Sequence, residues 1–259
     1  MADALRTVPL FGIPVNPFTM DEVVDLCGRT IRARSRLLIG VVNAAKVVNM
    51  RRDAELRQAV LESDVILADG MAIVWASRLL RRSLPERVAG IDLFVRLLER
   101  ADACGHRVYC LGAREDVLET VVRHIEKEYP GAVVAGRHHG YFTADQEAGI
   151  VDEIAAARPD LLFVAMSPPK KEQFLARWDA RLQVPVCHGV GGSFDVIAGK
   201  VKRAPRLWQK LGMEWLYRVL QEPWRLWRRY LVTNTLFCGM VVRELASRGS
   251  AGPASDATP

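Results

Sequence analysis

Residues 161–195 decide the fold: Leu161-Leu162-Phe163-Val164-Ala165-Met166, then Ser167-Pro168-Pro169-Lys170-Lys171-Glu172, then Val184-Pro185-Val186-Cys187-His188 and Gly189-Val190-Gly191-Gly192-Ser193-Phe194-Asp195. The first run is apolar on both alternating faces, which suits a strand buried on both sides. A helix is expected from Pro168 to Ala180, a second buried strand from Val184 to His188, and a glycine turn opening another helix. Buried strand, helix, buried strand is the unit of a parallel sheet covered on both faces.

The same alternation extends back to the N-terminal end. Thr19 and Glu22 form a T-x-x-E capping box that opens a helix through about Ala33. Leu37–Val42, Val65–Ala68, Arg107–Leu111 and Ala132–Ala135 read as strands. Helices are expected from Ala44, from Asp53 as N-cap, over Met71–Arg82, Ile91–Cys104 and Asp145–Ala157, and over Glu115–Tyr129, where Pro130-Gly131 stops the helix. The fold class is therefore α/β, a Rossmann-like parallel sheet with helices on both faces, spanning residues 1–199.

Residues 200–247 break the alternation and read as all-helical. Between Lys200 and Tyr230 stand nine Lys/Arg against two Glu, so this stretch accounts for the whole net charge of +6. It also holds four of the six tryptophans, Trp208, Trp215, Trp224 and Trp227. Trp224, Trp227 and Leu231 share one helical stripe, and Arg218, Arg225 and Arg228 another. An amphipathic segment of this kind suits an anionic membrane surface. Packing of the tryptophans on the α/β domain or on a second copy in a homo-oligomer is the alternative, and a nucleic-acid patch is the less favoured reading. Residues 248–259 are expected to be a disordered tail.

No apolar run approaches the ~20 residues that span a bilayer, and Met1–Leu10 lacks the pattern of a signal peptide. A cytoplasmic protein, peripheral on the inner face of the cytoplasmic membrane, is the expectation. The five scattered cysteines form no C-x-x-C pair, so buried thiols are expected and a zinc site is not.

In open parallel sheets, ligands bind beyond the carboxyl ends of the strands. Those ends carry Asn43, Asp69-Gly70, Gly112-Ala113-Arg114, Ser167-Pro168-Pro169-Lys170-Lys171-Glu172 and the Gly189–Asp195 turn. Asp69 reads either as an N-cap of the helix that follows or as a general base, and the two roles are compatible. Gly191 and Gly192 let backbone N–H groups approach a phosphate, or simply make a tight turn. Neither a G-x-G-x-x-G fingerprint nor a phosphate loop of the G-x-x-x-x-G-K-[ST] type occurs, which argues against dehydrogenases and kinases. No D-x-D pair ends a strand either. A leaving diphosphate would then be neutralised by cations, for which Arg87, Lys171 and the C-terminal arginines are available.

Several of these stretches resemble the TagA/WecG/CpsF family of inverting bacterial glycosyltransferases: Ala68-Asp69-Gly70, Arg87-Val88-Ala89-Gly90-Ile91-Asp92, Gly140-Tyr141-Phe142, Pro169-Lys170-Lys171-Glu172, the run Gly189–Gly199, Lys202-Arg203-Ala204-Pro205, Glu214-Trp215-Leu216-Tyr217-Arg218 and Glu222-Pro223. The resemblance covers about Leu10 to Leu245. It implies transfer of N-acetylmannosamine, glucose or a related sugar from a UDP-sugar to an undecaprenyl-diphosphate-linked sugar, in cell-surface polysaccharide synthesis, with no metal and no cofactor. It implies Asp69 as base, with Asn43 and Arg87 beside it. Tyr141 and Asp195 would meet the nucleotide, and Arg218, Arg225 and Arg228 would come from a helical appendage at the membrane. The chain departs from the family pattern at Val41, Ala44-Ala45, Ala72, Ser167 and Lys171, where relatives carry Thr, Pro-Glu, Gly, Gly and Gln. A non-catalytic nucleotide-binding membrane adaptor is the alternative function.

Overall fold

The computed structural model describes residues 5–249, without the side chains of Lys210, Arg225, Arg229 and Arg248. Of the tail expected over 248–259, Arg248 and Gly249 instead close the last helix, and residues 250–259 lie outside the described residues, as does the Arg225 side chain. A hairpin of β1 (Val8–Leu10) and β2 (Ile13–Val15) comes first. Then follow α1 (Met20–Ala33), β3 (Leu37–Val42), α2 (Ala44–Asn49), α3 (Ala54–Leu61), β4 (Val65–Ala68), α4 (Met71–Leu79) and α5 (Gly90–Cys104). Next are β5 (Arg107–Gly112), α6 (Glu115–Glu128), β6 (Val133–His138), α7 (Glu147–Ala157), β7 (Leu161–Ala165), α8 (Lys170–Leu182), β8 (Val186–Gly189) and α9 (Ser193–Ile197). Three helices form the appendage: α10 (Arg206–Lys210), α11 (Glu214–Gln221) and α12 (Pro223–Gly249).

Six strands form one parallel sheet in the order β4-β3-β8-β7-β5-β6. Alternation along each strand divides the core. Leu37, Ile39, Val65, Leu67, Val108, Cys110, Leu161, Phe163 and Val186 face α1, α5, α6 and α9. Ile66, Val42 and Ala68 face the opposite side under α2, α3 and α4, and Tyr109, Leu111, Leu162, Val164 and Cys187 face that side under α7 and α8. This is the period-two pattern of a sheet buried on both faces.

Local signals account for most boundaries. Thr19 and Glu22 make both bonds of the capping box, and Asp53 accepts from the Leu56 N–H. The β1–β2 hairpin was not expected. Its turn residues Phe11 and Gly12 both take positive φ, 54° and 72°, the backbone of a two-residue hairpin turn that Phe seldom adopts. Strand β6 runs to His138, three residues past the expected Ala135, because its ladder with β5 continues through Leu111. Beyond β4, Asn16 pairs with Ile66 through backbone N–H to carbonyl (2.8 Å) and through its side-chain Oδ1 from the Ile66 N–H (2.8 Å), which closes that sheet edge.

The two ends of α12 have different surroundings. Phe237 and Val241 belong to the core under β4, with Phe237 packed on Phe11 at 5.1 Å between ring centroids. Glu244 accepts from Arg82 (2.8 Å) and from the Phe11 N–H (3.2 Å). Towards its start, Trp224, Trp227 and Leu231 are exposed.

Candidate active site

Strands β3 and β4 end side by side at Asn43 and Asp69. Asn43 caps α2, its Oδ1 accepting from the Lys46 N–H at 3.0 Å. Gly70 stands so close that a Cβ there would lie 3.3 Å from the Asn43 Cβ. The helix after β4 takes Gly70 as its N-cap, without a side-chain bond. The Asp69 carboxylate turns instead to α5, where its Oδ1 accepts from the Gly90 N–H at 2.9 Å. The expectation that Asp69 caps the helix it opens is not met: the N-cap of α4 is Gly70. The carboxylate instead receives the first N–H of α5, that of Gly90, 21 residues along the chain, and the N-cap of α5 is Ala89. A carboxylate at a helix N-terminus is favoured by the helix dipole.

Gly90 is held from its other side as well. The buried His188 ring lies with Nε2 3.1 Å from the Gly90 carbonyl, and burial pushes its pKa down to about 4. The imidazole is therefore neutral near pH 7 and donates Nε2–H to that carbonyl. Burial also raises the pKa of Asp69, opposed by the Gly90 bond, Arg87 and Lys46, and reinforced by Glu214. The carboxylate is thereby a stronger base than a solvated aspartate.

Two lysines converge on Glu172 of α8, and the charge of Lys46 also reaches Asp69. Lys46 Nζ and Lys171 Nζ both approach Glu172 Oε1, at 2.8 and 3.2 Å, and all three side chains are buried. Burial and the Lys171 charge lower the Lys46 pKa to about 8. Lys171, only 6% exposed, is not a surface lysine. Its stem passes over the turn after β8, where a Cβ on Gly189 would come within 2.9 Å of its Cε and one on Gly191 within 3.7 Å of its Nζ. Gly191 takes φ +54°, a conformation that favours glycine.

Arg87, 12% exposed, precedes α5 and pairs with Glu214 of α11 and with Asp92 Oδ2 at 3.4 Å. Arg203 reaches Asp92 Oδ1 at 2.6 Å and Glu214 Oε1 at 3.9 Å.

Asn43, Asp69, Arg87, Lys171 and Gly191 thus form one connected group. Gly192 and Asp195 adjoin it, since a Cβ on Gly192 would lie 4.0 Å from Asp195 Oδ2. Asp195 faces Arg114 and Asp116, and its pKa is raised chiefly by burial. Tyr141 stands apart, 71% exposed beyond β6. Its loop sits on the turn after β5, where Lys170 donates to the Gly140 and Phe142 carbonyls at 3.1 and 3.2 Å. Arg218 and Arg228 are exposed on the appendage, with the Arg228 guanidinium 5.8 Å from the Trp227 ring. Among the described residues, no three His, Cys, Asp or Glu side chains gather as metal ligands would.

Sequence reasoning missed Lys46, His188, Asp92, Arg203 and Glu214. Lys46 carried no local signal for its partner, because the third residue of a six-residue helix belongs as much to its last turn as to its first.

The appendage displays its apolar side. Leu207, Leu211, Trp215, Leu220, Trp227 and Leu231 are exposed, and Trp224 is 92% exposed. Gly212 seats the α10–α11 turn on α4, where a Cβ would meet Trp75 at 2.7 Å and Met71 at 2.8 Å. Trp75 and Leu79 of α4 are themselves exposed. Trp208 and Trp215 pack on Tyr217 and Tyr230 within the appendage, at 5.6 and 5.8 Å between centroids. No helix among the described residues is long and apolar enough to cross a membrane.

Two kinds of comparison agree with this arrangement. The model of the "Glycosyl transferase WecG/TagA/CpsF family" matches residues 8–251. An N-acetylglucosaminyldiphosphoundecaprenol N-acetyl-beta-D-mannosaminyltransferase of Bacillus subtilis (strain 168) is 38% identical over 228 residues, 88% of each chain. A protein of the same description from Bacillus spizizenii (strain W23) is 39% identical over 191 residues, 73% of each chain. With a continuous match from the first strand into the last helix, the chain belongs to the WecG/TagA/CpsF family of glycosyltransferases.

Proposed function

We propose that this enzyme transfers an N-acetylmannosamine-type sugar from a UDP-sugar to a sugar carried on undecaprenyl diphosphate, in the synthesis of a cell-surface polysaccharide. The activity named for the two Bacillus relatives supports the acceptor and the sugar class. The observation that carries the chemistry is Asp69, half-buried at a strand end with one carboxylate oxygen held by the Gly90 N–H.

In the proposed step the acceptor hydroxyl attacks the anomeric carbon as the bond to the UDP oxygen breaks. Asp69 takes the hydroxyl proton, and the single displacement inverts the configuration. Arg87 and Lys46, whose charges reach Asp69, and Lys171, which shares Glu172 with Lys46, are the cations that can balance the leaving diphosphate without a divalent metal. In the turn after β8 the Val190 and Gly191 N–H groups already donate to the Val164 carbonyl, at 2.9 and 3.4 Å, so the neutralisation falls to the cations. The exposed face of α4 and α10–α12 would rest on the anionic inner surface of the cytoplasmic membrane, where the lipid-linked acceptor lies. Arg218, Arg225 and Arg228 would meet the diphosphates there.

The test is UDP release from a panel of UDP-sugars with a lipid-diphosphate acceptor. Asp69→Asn should lower turnover by ~10²–10⁴ while UDP binding survives. Near wild-type turnover in that variant would remove Asp69 as base. UDP binding with no release from any donor would favour the non-catalytic adaptor.

A further inference from the structure

Arg87, Asp92, Arg203 and Glu214 form a closed ring of alternating charge. Arg87 pairs with Glu214 and Asp92, and Arg203 pairs with Asp92 at 2.6 Å and faces Glu214 at 3.9 Å without a hydrogen bond to it. Arg87 and Asp92 belong to the α/β domain, Glu214 to the first turn of α11, and Arg203 to the segment between them. The ring is neutral in sum and is fixed next to the base through the backbone: Val88, after Arg87, donates to the carbonyl of Ala68, before Asp69, at 2.9 Å, and Gly90, three residues after Arg87, holds the Asp69 carboxylate. No hydrogen bond or ion pair joins Arg87 to Asp69 among the described contacts. The guanidinium fork is taken by Glu214 and Asp92.

We propose that Glu214 is a positioning residue for the transfer reaction: by holding Arg87, it keeps the guanidinium off Asp69 and ties the strength of the base to the seating of the appendage. The inference rests on the reading of Asp69 as base.

The charges around Asp69 make the direction definite. Arg87 from the loop before α5 and Lys46 from α2 favour its ionised form, whereas Glu214 from α11 disfavours it. Removing the Glu214 charge has two effects of one sign. It takes away a like charge, and it frees Arg87 to pair with Asp69. An aspartate paired with arginine binds its proton less tightly and is a weaker base. Asp92 remains on Arg87, yet at 3.4 Å it is the longer of the two contacts and is shared with Arg203.

The experiment is the pH profile of kcat/KM for the full-length protein, UDP-sugar and lipid-diphosphate acceptor, with three variants. Glu214→Gln is isosteric and its side chain is 28% exposed, so the fold persists. Its acidic limb should move to lower pH and its plateau should fall about tenfold. Glu214→Asp keeps the charge, and its limb should stay near the wild-type position. Arg203→Gln opens the ring but leaves Glu214 on Arg87, so its limb should not move even if its KM rises. An unmoved limb in Glu214→Gln overturns the proposal. So does an equal shift in Arg203→Gln, because the cause would then be loosened docking rather than charge. Asp69→Asn separates this inference from the reading beneath it. If Asp69→Asn turns over normally, the base assignment fails and Glu214 falls with it. If Asp69→Asn is inactive and the Glu214→Gln limb is unmoved, only the role of Glu214 fails.

Discussion

At the strand ends, the charged groups around Asp69 are held by neighbours. Asp69 has the Gly90 N–H, Lys46 and Lys171 share Glu172, and Arg87 has Glu214 and Asp92. On the outer side of α10–α12 the order is reversed: large apolar side chains stand in solvent, and Arg218 is exposed with no ion pair among the described contacts. One region is finished by folding, and the other has the composition of a surface finished by contact with something else. Large exposed apolar patches mark such contacts. Helix α12 joins the two, since Phe237 and Val241 of its later half are core while Trp224 and Trp227 near its start are exposed.

That contrast can be broken at chosen points. Phe237→Ala should have the largest effect on the fold, destabilising it by about 3–5 kcal/mol in denaturant unfolding, because it removes a buried ring packed on Phe11. An effect under about 1 kcal/mol would mean that α12 is peripheral along its whole length. Trp224→Ala combined with Trp227→Ala should change stability by no more than about 0.5 kcal/mol. The same pair should weaken retention on anionic vesicles at least ~10-fold, since each ring can bury apolar area worth more than 1.4 kcal/mol. Unchanged retention would assign the exposed face to a protein partner.

The smallest effect lies on Asp69 itself. Its folded-state pKa is raised, so the native chain holds the proton more tightly than the unfolded chain, and stability falls as pH rises between the two values. Asp69→Asn keeps an acceptor for Gly90 and carries no charge. It should therefore raise Tm near pH 7.5, on the order of 2 °C, and the gain should vanish on approach to pH 4. A gain independent of pH would point to packing instead of charge.

Local rules made much of this molecule legible. The two-faced apolar runs such as Leu161–Met166, the Thr19–Glu22 box and the Asp53 cap each depend on neighbours within a few residues, and each expected element formed. Asp69 and the Gly189–Asp195 turn were legible as strand-end groups because a parallel sheet collects its strand ends on one edge. What the sequence hid is long-range pairing. Nothing near Asp69 says that its carboxylate receives the first N–H of α5 and none of α4, and nothing near Lys46 points to Glu172, 126 residues away. The ring through Glu214 joins residues 127 apart. Phe237 carried no sign that it faces a hairpin at the other end of the chain. Such pairings are fixed by which helices the sheet order brings together, and periodicity does not encode that order.

The sheet order also has a consequence for synthesis. Strand β8 is last in sequence, yet it lies between β3 and β7. While a ribosome delivers the chain, β3 and β4 can pair, and β5, β6 and β7 can pair, but no hydrogen-bond ladder links the two groups until residues 186–189 emerge. In the interval each nascent half-sheet presents an unpaired edge, on β3 and on β7, of the kind that recruits foreign strands. Asn43 and Asp69 ride on one half and the Gly112 turn on the other. A growing chain thus carries two half-clefts with no shared wall, and insertion of a single four-residue strand turns them into one.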